Sequence, residues 1–217
     1  MNILFLYESI LPDNFYKDTL FLGEARVMSA QPYVKNIFVL GRSGTSFYDK
    51  KNTKSVKTKL EKKVKLIHYS KFENNLWYYF LTPIILFNAL SFIRKNKIDL
   101  IQAESPHISG PAAIILGKIF NIKTAIEVRV SYHEVLKNRL KLIPNNIKKT
   151  VYDLVSNFVF SQASILIGNT KTYADILKKI ISKHPKWKKA SELVLKNPKS
   201  YNSPLFLILF VIFNNTI

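Results

Sequence analysis

Two stretches of this chain carry polar side chains in patterns that could bind or react. Thr124-Ala-Ile-Glu-Val-Arg-Val-Ser-Tyr-His-Glu134 reads as a strand running into a loop that bears Arg129, His133 and Glu134. A guanidinium can clamp a phosphate through two parallel hydrogen bonds, and an imidazole or carboxylate can take a proton from a hydroxyl. A local Glu127–Arg129 ion pair, with His133 opening the next helix, reads equally well. Ile101-Gln-Ala-Glu-Ser-Pro-His-Ile-Ser-Gly110 repeats the layout, with Glu104, Ser105 and His107 in the loop and a helix of small residues starting near Ser109. A helix start favours an anion. The alternative is that Ser105 and Ser109 are plain loop and cap residues.

Other chemistry finds little support. Gly41-Arg-Ser-Gly44 follows a strand as a phosphate loop would, but it completes neither GxGxxG nor a Walker loop and reads as a turn. The four histidines, His68, His107, His133 and His184, have no metal-ligand spacing. The absence of cysteine excludes disulfides, thiolate zinc sites and Cys nucleophiles. No metal and no cofactor is expected.

The elements that must hold these loops alternate. Short apolar strands are expected at Asn2 to Tyr7, Asn36 to Leu40, Val64 to Tyr69, Ile98 to Ala103, Thr124 to Val130 and Ser164 to Gly168. Helices are expected at Leu20 to Ala30, Asn75 to Arg94, Ile108 to Phe120 and Asn145 to Ser161, and a solvated Lys-rich loop at Asp49 to Lys63. Short strands apolar on both faces, alternating with helices, predict a doubly wound parallel sheet covered on both sides. In such sheets ligands sit beyond the carboxyl ends of the strands, where both polar loops would lie. Asn74 to Ile93 is uncharged and near the length of about 20 residues that spans a bilayer. Its place between two strands, with Thr82, Pro83, Asn88 and Ser91 inside it, predicts a buried crossover helix instead.

The 217 residues suit one α/β domain with a tail, and 47% hydrophobic residues can build a core. The net charge of +19, from 33 Lys and Arg against 14 Asp and Glu, draws the chain toward polyanions. An anionic membrane surface fits better than nucleic acid, because the aromatics do not interleave with the Lys clusters as stacking platforms would. The opening apolar run stops at Glu8, too early for a signal peptide, so a cytoplasmic place is expected.

In order, these pieces resemble the N-terminal domain of family 4 glycosyltransferases, retaining enzymes of the two-domain GT-B type. Asn2-Ile-Leu-Phe-Leu-Tyr-Glu-Ser-Ile-Leu-Pro is similar to their opening strand and acceptor-side loop. Asp99-Leu-Ile-Gln-Ala-Glu-Ser-Pro with Gly110-Pro-Ala-Ala-Ile-Ile-Leu-Gly117 resembles a further strand and its small-residue helix. Ala125-Ile-Glu-Val-Arg129 and Ala163 to Leu177 match later stretches, so the likeness covers roughly residues 1–180. It implies a Rossmann-like domain at 1–182, half of a GT-B fold, then a basic linker at 183–203 and an apolar tail at 204–217 that looks like an orphan strand. The resemblance implies a glycan or lipid-linked acceptor. His133 and Glu134 are the catalytic candidates, and Arg129, Glu104, Ser105, His107 and Glu8 the substrate-binding ones. In the family a second domain with two glutamates eight positions apart holds the nucleotide-sugar donor. No glutamate pair here has that separation, so the expectation is a truncated enzyme, inactive unless a second domain is supplied.

The charge analysis generates one test. With the Lys clusters at 50–65 and 171–199, the protein should co-sediment with acidic vesicles at low salt and be released at high salt, each Lys near the surface contributing about 1 kcal/mol. Equal recovery in the supernatant with acidic and neutral vesicles would count against it.

Overall fold

The computed structural model describes residues 1–11, 20–43, 61–69, 81–128 and 144–168. Six strands form one sheet: β1 (Asn2–Leu11), β2 (Asn36–Ser43), β3 (Val64–Tyr69), β4 (Leu100–Ala103), β5 (Lys123–Val128) and β6 (Ile165–Gly168). The described helices are α1 (Leu20–Ser29), α2 (Leu81–Lys95), α3 (Ser109–Phe120) and α4 (Asn145–Gln162). Every strand pair is parallel, in the order β3-β2-β1-β4-β5-β6. This is the Rossmann-like doubly wound order, in which the chain works outward from β1 in one direction and then from β4 in the other.

Alternation along β1 divides the interior in two. Leu4 and Leu6 point into a core shared with Ile85 and Ala89 of α2, Ala113 and Leu116 of α3, and Val159 of α4. Ile3, Phe5 and Tyr7 point the other way, toward Ala25 of α1 and Val39 of β2. Burying both faces is what makes the strands uniformly apolar. Each of the fully buried Leu and Ile side chains contributes about 1.5–3 kcal/mol relative to exposure.

The doubtful apolar segment resolves within its described part. α2 lies between β3 and β4 in sequence and buries Ile85, Ala89 and Ile93 at fourth-residue spacing against the sheet. Among the described residues, no helix is long and apolar enough to cross a membrane. Residues 70–80, which include the expected start of this helix, lie outside the described residues.

Two expectations need correction. β2 runs through Gly41 to Ser43, with Gly41 paired to His68 and Arg42 to Tyr69, so the Gly41-Arg-Ser segment is strand and not turn. Gly44 is outside the described residues. The end of the expected solvated loop is ordered too: Glu61–Lys63 form a 3-10 turn, and Lys63 Nζ donates to the carbonyls of Ser29 and Val34, both at 3.0 Å. An ammonium has three donors, and the carbonyls left open behind α1 supply acceptors for it.

The amino ends of β1 and β2 are pinned by polar contacts. The Asn2 amide N–H donates to Asp99 Oδ2 at 2.7 Å, its side chain donates to the Lys97 carbonyl at 2.7 Å, and Asn36 donates to Asn2 Oδ1 at 3.0 Å.

The turn from α3 to β5 sets where that strand begins. Asn121 takes a left-handed conformation, φ 53°, and Ile122 N–H donates to the Gly117 carbonyl at 2.8 Å. A Cβ at Gly117 would lie 2.5 Å from Thr124 Cγ2 and 2.8 Å from the Ile122 carbonyl oxygen. Gly117→Ala should therefore lower stability by about 1–3 kcal/mol, because the second neighbour is backbone and cannot rotate away. Asn121→Gly should be tolerated, since glycine adopts that φ freely. Urea unfolding of both variants checks this pair of outcomes.

Candidate functional site

The reversal of strand order falls between β1 and β4, and a crevice opens at such a point beyond the carboxyl ends. β1 and β4 pair from Ile3 with Leu100 to Leu6 with Ala103, and Glu104 N–H extends the ladder to the Leu6 carbonyl at 3.2 Å. On its other side β1 leaves regular register between Leu6 and Ile10. Glu8 lies in that irregularity, where a strand re-aims its side chains.

Glu8 is 6% exposed and its carboxylate meets the first turn of α3. Oε1 accepts from the Ser109 N–H at 2.9 Å, from Ser109 Oγ at 2.7 Å, and from the Ser105 hydroxyl. In return the Glu8 backbone N–H donates to Glu104 Oε2 at 2.9 Å. Glu8, which is buried, and Glu104, which is partly exposed and follows β4 directly, are thus tied at the switch point.

The loop between β4 and α3 is wound tightly around Ser105. Its Oγ accepts from the N–H groups of His107 and Ile108, both at 3.3 Å, while its own N–H donates to Ser109 Oγ at 3.1 Å. Thr82 at the start of α2 donates to the Ile108 carbonyl at 2.8 Å. Gly110 lets the loop close, because a Cβ there would sit 2.7 Å from the Ser105 carbonyl and 3.1 Å from Val159 Cγ1.

His107 is turned toward α4. Its ring stacks on Tyr152 with centroids 3.6 Å apart, and Nε2 lies 2.6 Å from Ser156 Oγ. Ser156 Oγ donates to the Tyr152 carbonyl at 2.7 Å, so its lone pairs are what remain for the histidine, and Nε2 carries the proton in that contact. His107 fastens the loop to α4 through this bond and the stack.

Of the expected site residues, the structure brings Glu8, Glu104, Ser105 and His107 to one place. Arg129, His133 and Glu134 lie outside the described residues, and β5 ends one residue earlier, at Val128. Glu127, expected in a local ion pair with Arg129, is 1% exposed, and its expected partner is among the residues not described. The plain-cap reading of Ser109 is corrected: α3 has no side-chain cap of its own, and the acceptor at its first turn comes from Glu8 on another strand. Sequence reasoning missed Tyr152 and Ser156, which sit 49 residues or so from their partner and leave no local signal. Among the described residues no group of three or more His, Cys, Asp or Glu could hold a metal. Compared with family models and with curated proteins, the chain matches none.

A buried carboxylate that serves three donors is costly to delete. Glu8→Ala should destabilise the fold by about 1–3 kcal/mol for the donors left without an acceptor. Glu8→Gln should lose less, since an amide oxygen still accepts. Denaturant melts of the two variants would show the order, and equal loss would mean that packing and not hydrogen bonding holds Glu8.

Proposed function

We propose that this domain binds the acceptor in a glycosyl transfer reaction, at the crevice between β1 and β4. The observation that carries the reading is the pair Glu8 and Glu104 joined at the topological switch point. In a parallel sheet this is where ligands bind. Carboxylates recognise hydroxyl groups by accepting hydrogen bonds from them. The resemblance of residues 1–180 to the acceptor-side domain of family 4 glycosyltransferases supports the same assignment.

The chemistry of the reading is division of labour. Transfer needs the donor diphosphate neutralised and the sugar carbon held against the acceptor hydroxyl, and such positioning is worth about 7–11 kcal/mol of barrier. In the resembled family a second domain holds the donor, so this chain supplies acceptor recognition. Arg129, His133 and Glu134 are the proposed further contributors, with Arg129 contacting a phosphate or the acceptor and the other two moving a proton. A cytoplasmic place, peripheral to a membrane, goes with a lipid-linked acceptor. A rival reading, a non-catalytic basic module on a polyanion, draws on the +19 charge alone.

The test separates the two. In calorimetry the protein should show no saturable micromolar binding to a panel of nucleotide sugars, while a glycan screen should yield a ligand whose affinity falls at least tenfold in Glu104→Gln, which removes the charge and keeps an oxygen for the Glu8 N–H. Tight binding and turnover of a nucleotide sugar by the chain alone would sink the reading, as would a screen in which only polyanions bind.

A further inference from the structure

The start of α3 is closed to an outside anion, and the chain itself closes it. Four N–H groups at a helix start lack intrahelical partners, and at the switch point of a parallel sheet they are the usual seat of a phosphate. In α3 the four positions run from Ile108 to Pro111. The Ile108 N–H donates to Ser105 Oγ at 3.3 Å, the Ser109 N–H donates to Glu8 Oε1 at 2.9 Å, and Pro111 has no N–H to give. The remaining position, Gly110, is buried.

We propose that Glu8 is a built-in anion that sets the class of the acceptor: the crevice takes uncharged, hydroxyl-bearing sugar groups and rejects a phosphate at the β1–β4 switch point. This rests on the acceptor-binding reading and names the substrate class for it. Glu8 Oε1 accepts from the Ser109 N–H, from Ser109 Oγ at 2.7 Å and from the Ser105 hydroxyl. Both serines are 0% exposed and Glu8 is 6% exposed, so a phosphate takes these donors only by expelling a buried carboxylate. Beside it the partly exposed Glu104 carboxylate, held by the Glu8 N–H at 2.9 Å, repels a second anion and accepts hydrogen bonds from hydroxyl groups.

The charge of the whole molecule makes this local sign decisive. At +19 the chain attracts phosphates over its surface, and a crevice that followed the net charge would bind phosphorylated ligands first. Two carboxylates at the switch point reverse the preference there, because a charge in contact outweighs exposed charges beyond a screening length of about 8 Å. A lipid-linked acceptor must therefore present its sugar, and not its phosphate, to this point.

Chemical rescue reads the internal anion without any glycan. Glu8→Ala removes the carboxylate, and formate is small enough to replace it. Formate should raise the melting temperature of this variant by several degrees more than chloride at equal ionic strength, or restore the fold where chloride does not support it. Wild type and Glu8→Gln, whose own oxygen still fills the position, should gain no more from formate than from chloride. An equal gain in wild type, or none in Glu8→Ala, would overturn the assignment of Glu8 as an internal anion. The acceptor class is read on a glycan array that carries each sugar with and without a phosphate group. Wild type should bind the neutral form at least tenfold more tightly, and Glu8→Gln should narrow that ratio several-fold, since it removes a charge and keeps an acceptor oxygen. A wild-type preference for the phosphorylated form, or a ratio unchanged in Glu8→Gln, would overturn the selection. An array on which no sugar binds would overturn the acceptor-binding reading and the substrate class with it, while the formate result would still decide whether Glu8 is the internal anion.

Discussion

The contact between the Glu8 carboxylate and the first turn of α3 organises the rest of the candidate site. A helix start leaves backbone N–H groups without partners, and its dipole favours negative charge. α3 begins in the protein interior, with Ser109 0% exposed, so water cannot serve these groups freely. A carboxylate from the neighbouring strand does, and its own burial is offset by the three donors it gains. The same contact fixes the end of β1 relative to the loop after β4. Neither strand is paired to the other at that level by a regular ladder, so side chains take over where backbone pairing stops.

This arrangement changes what the crevice can recognise. Many sheets of this order seat a phosphate on a helix start at the switch point. Here the position at α3 is filled by the protein's own anion, and Glu104 adds a second carboxylate beside it. A ligand approaching that spot meets carboxylate oxygens, with the Ser109 N–H already taken, which favours hydroxyl-rich groups over phosphates. Any phosphate recognition must come from elsewhere along the sheet edge.

The fold was legible because its signal is local and repeated. The six strands and four helices follow from apolar runs of the right length, and the expected boundaries at Val64 and Tyr69 or at Asn145 agree with the structure because Lys-rich or Pro-containing stretches bound them. Glu8, Glu104, Ser105 and His107 were legible as neighbours of strand ends. Their wiring was not. Whether Ser109 caps α3 itself or receives a cap depends on a residue 101 positions away, and nothing in the spacing of Ser105 and Ser109 distinguishes the two. Lys63 reads as one more solvated lysine in a basic run, and only the fold brings the Ser29 and Val34 carbonyls to it. Glu127 reads as a polar strand residue near a charge, and its burial depends on what covers the second face of β5.

α4 connects the site to the molecular surface. On one side Tyr152 and Ser156 hold His107, and through it the loop whose Ser105 serves Glu8. On the other side Ile147, Val151, Leu154 and Phe158 are exposed. A helix of 18 residues is a stiff element compared with the loop it braces. The loop is anchored in the core by Ile108, and Ser105, Ser109 and His107 add the polar contacts that fix its shape. The stack of His107 on Tyr152 and its bond to Ser156 tie the loop that serves Glu8 to α4.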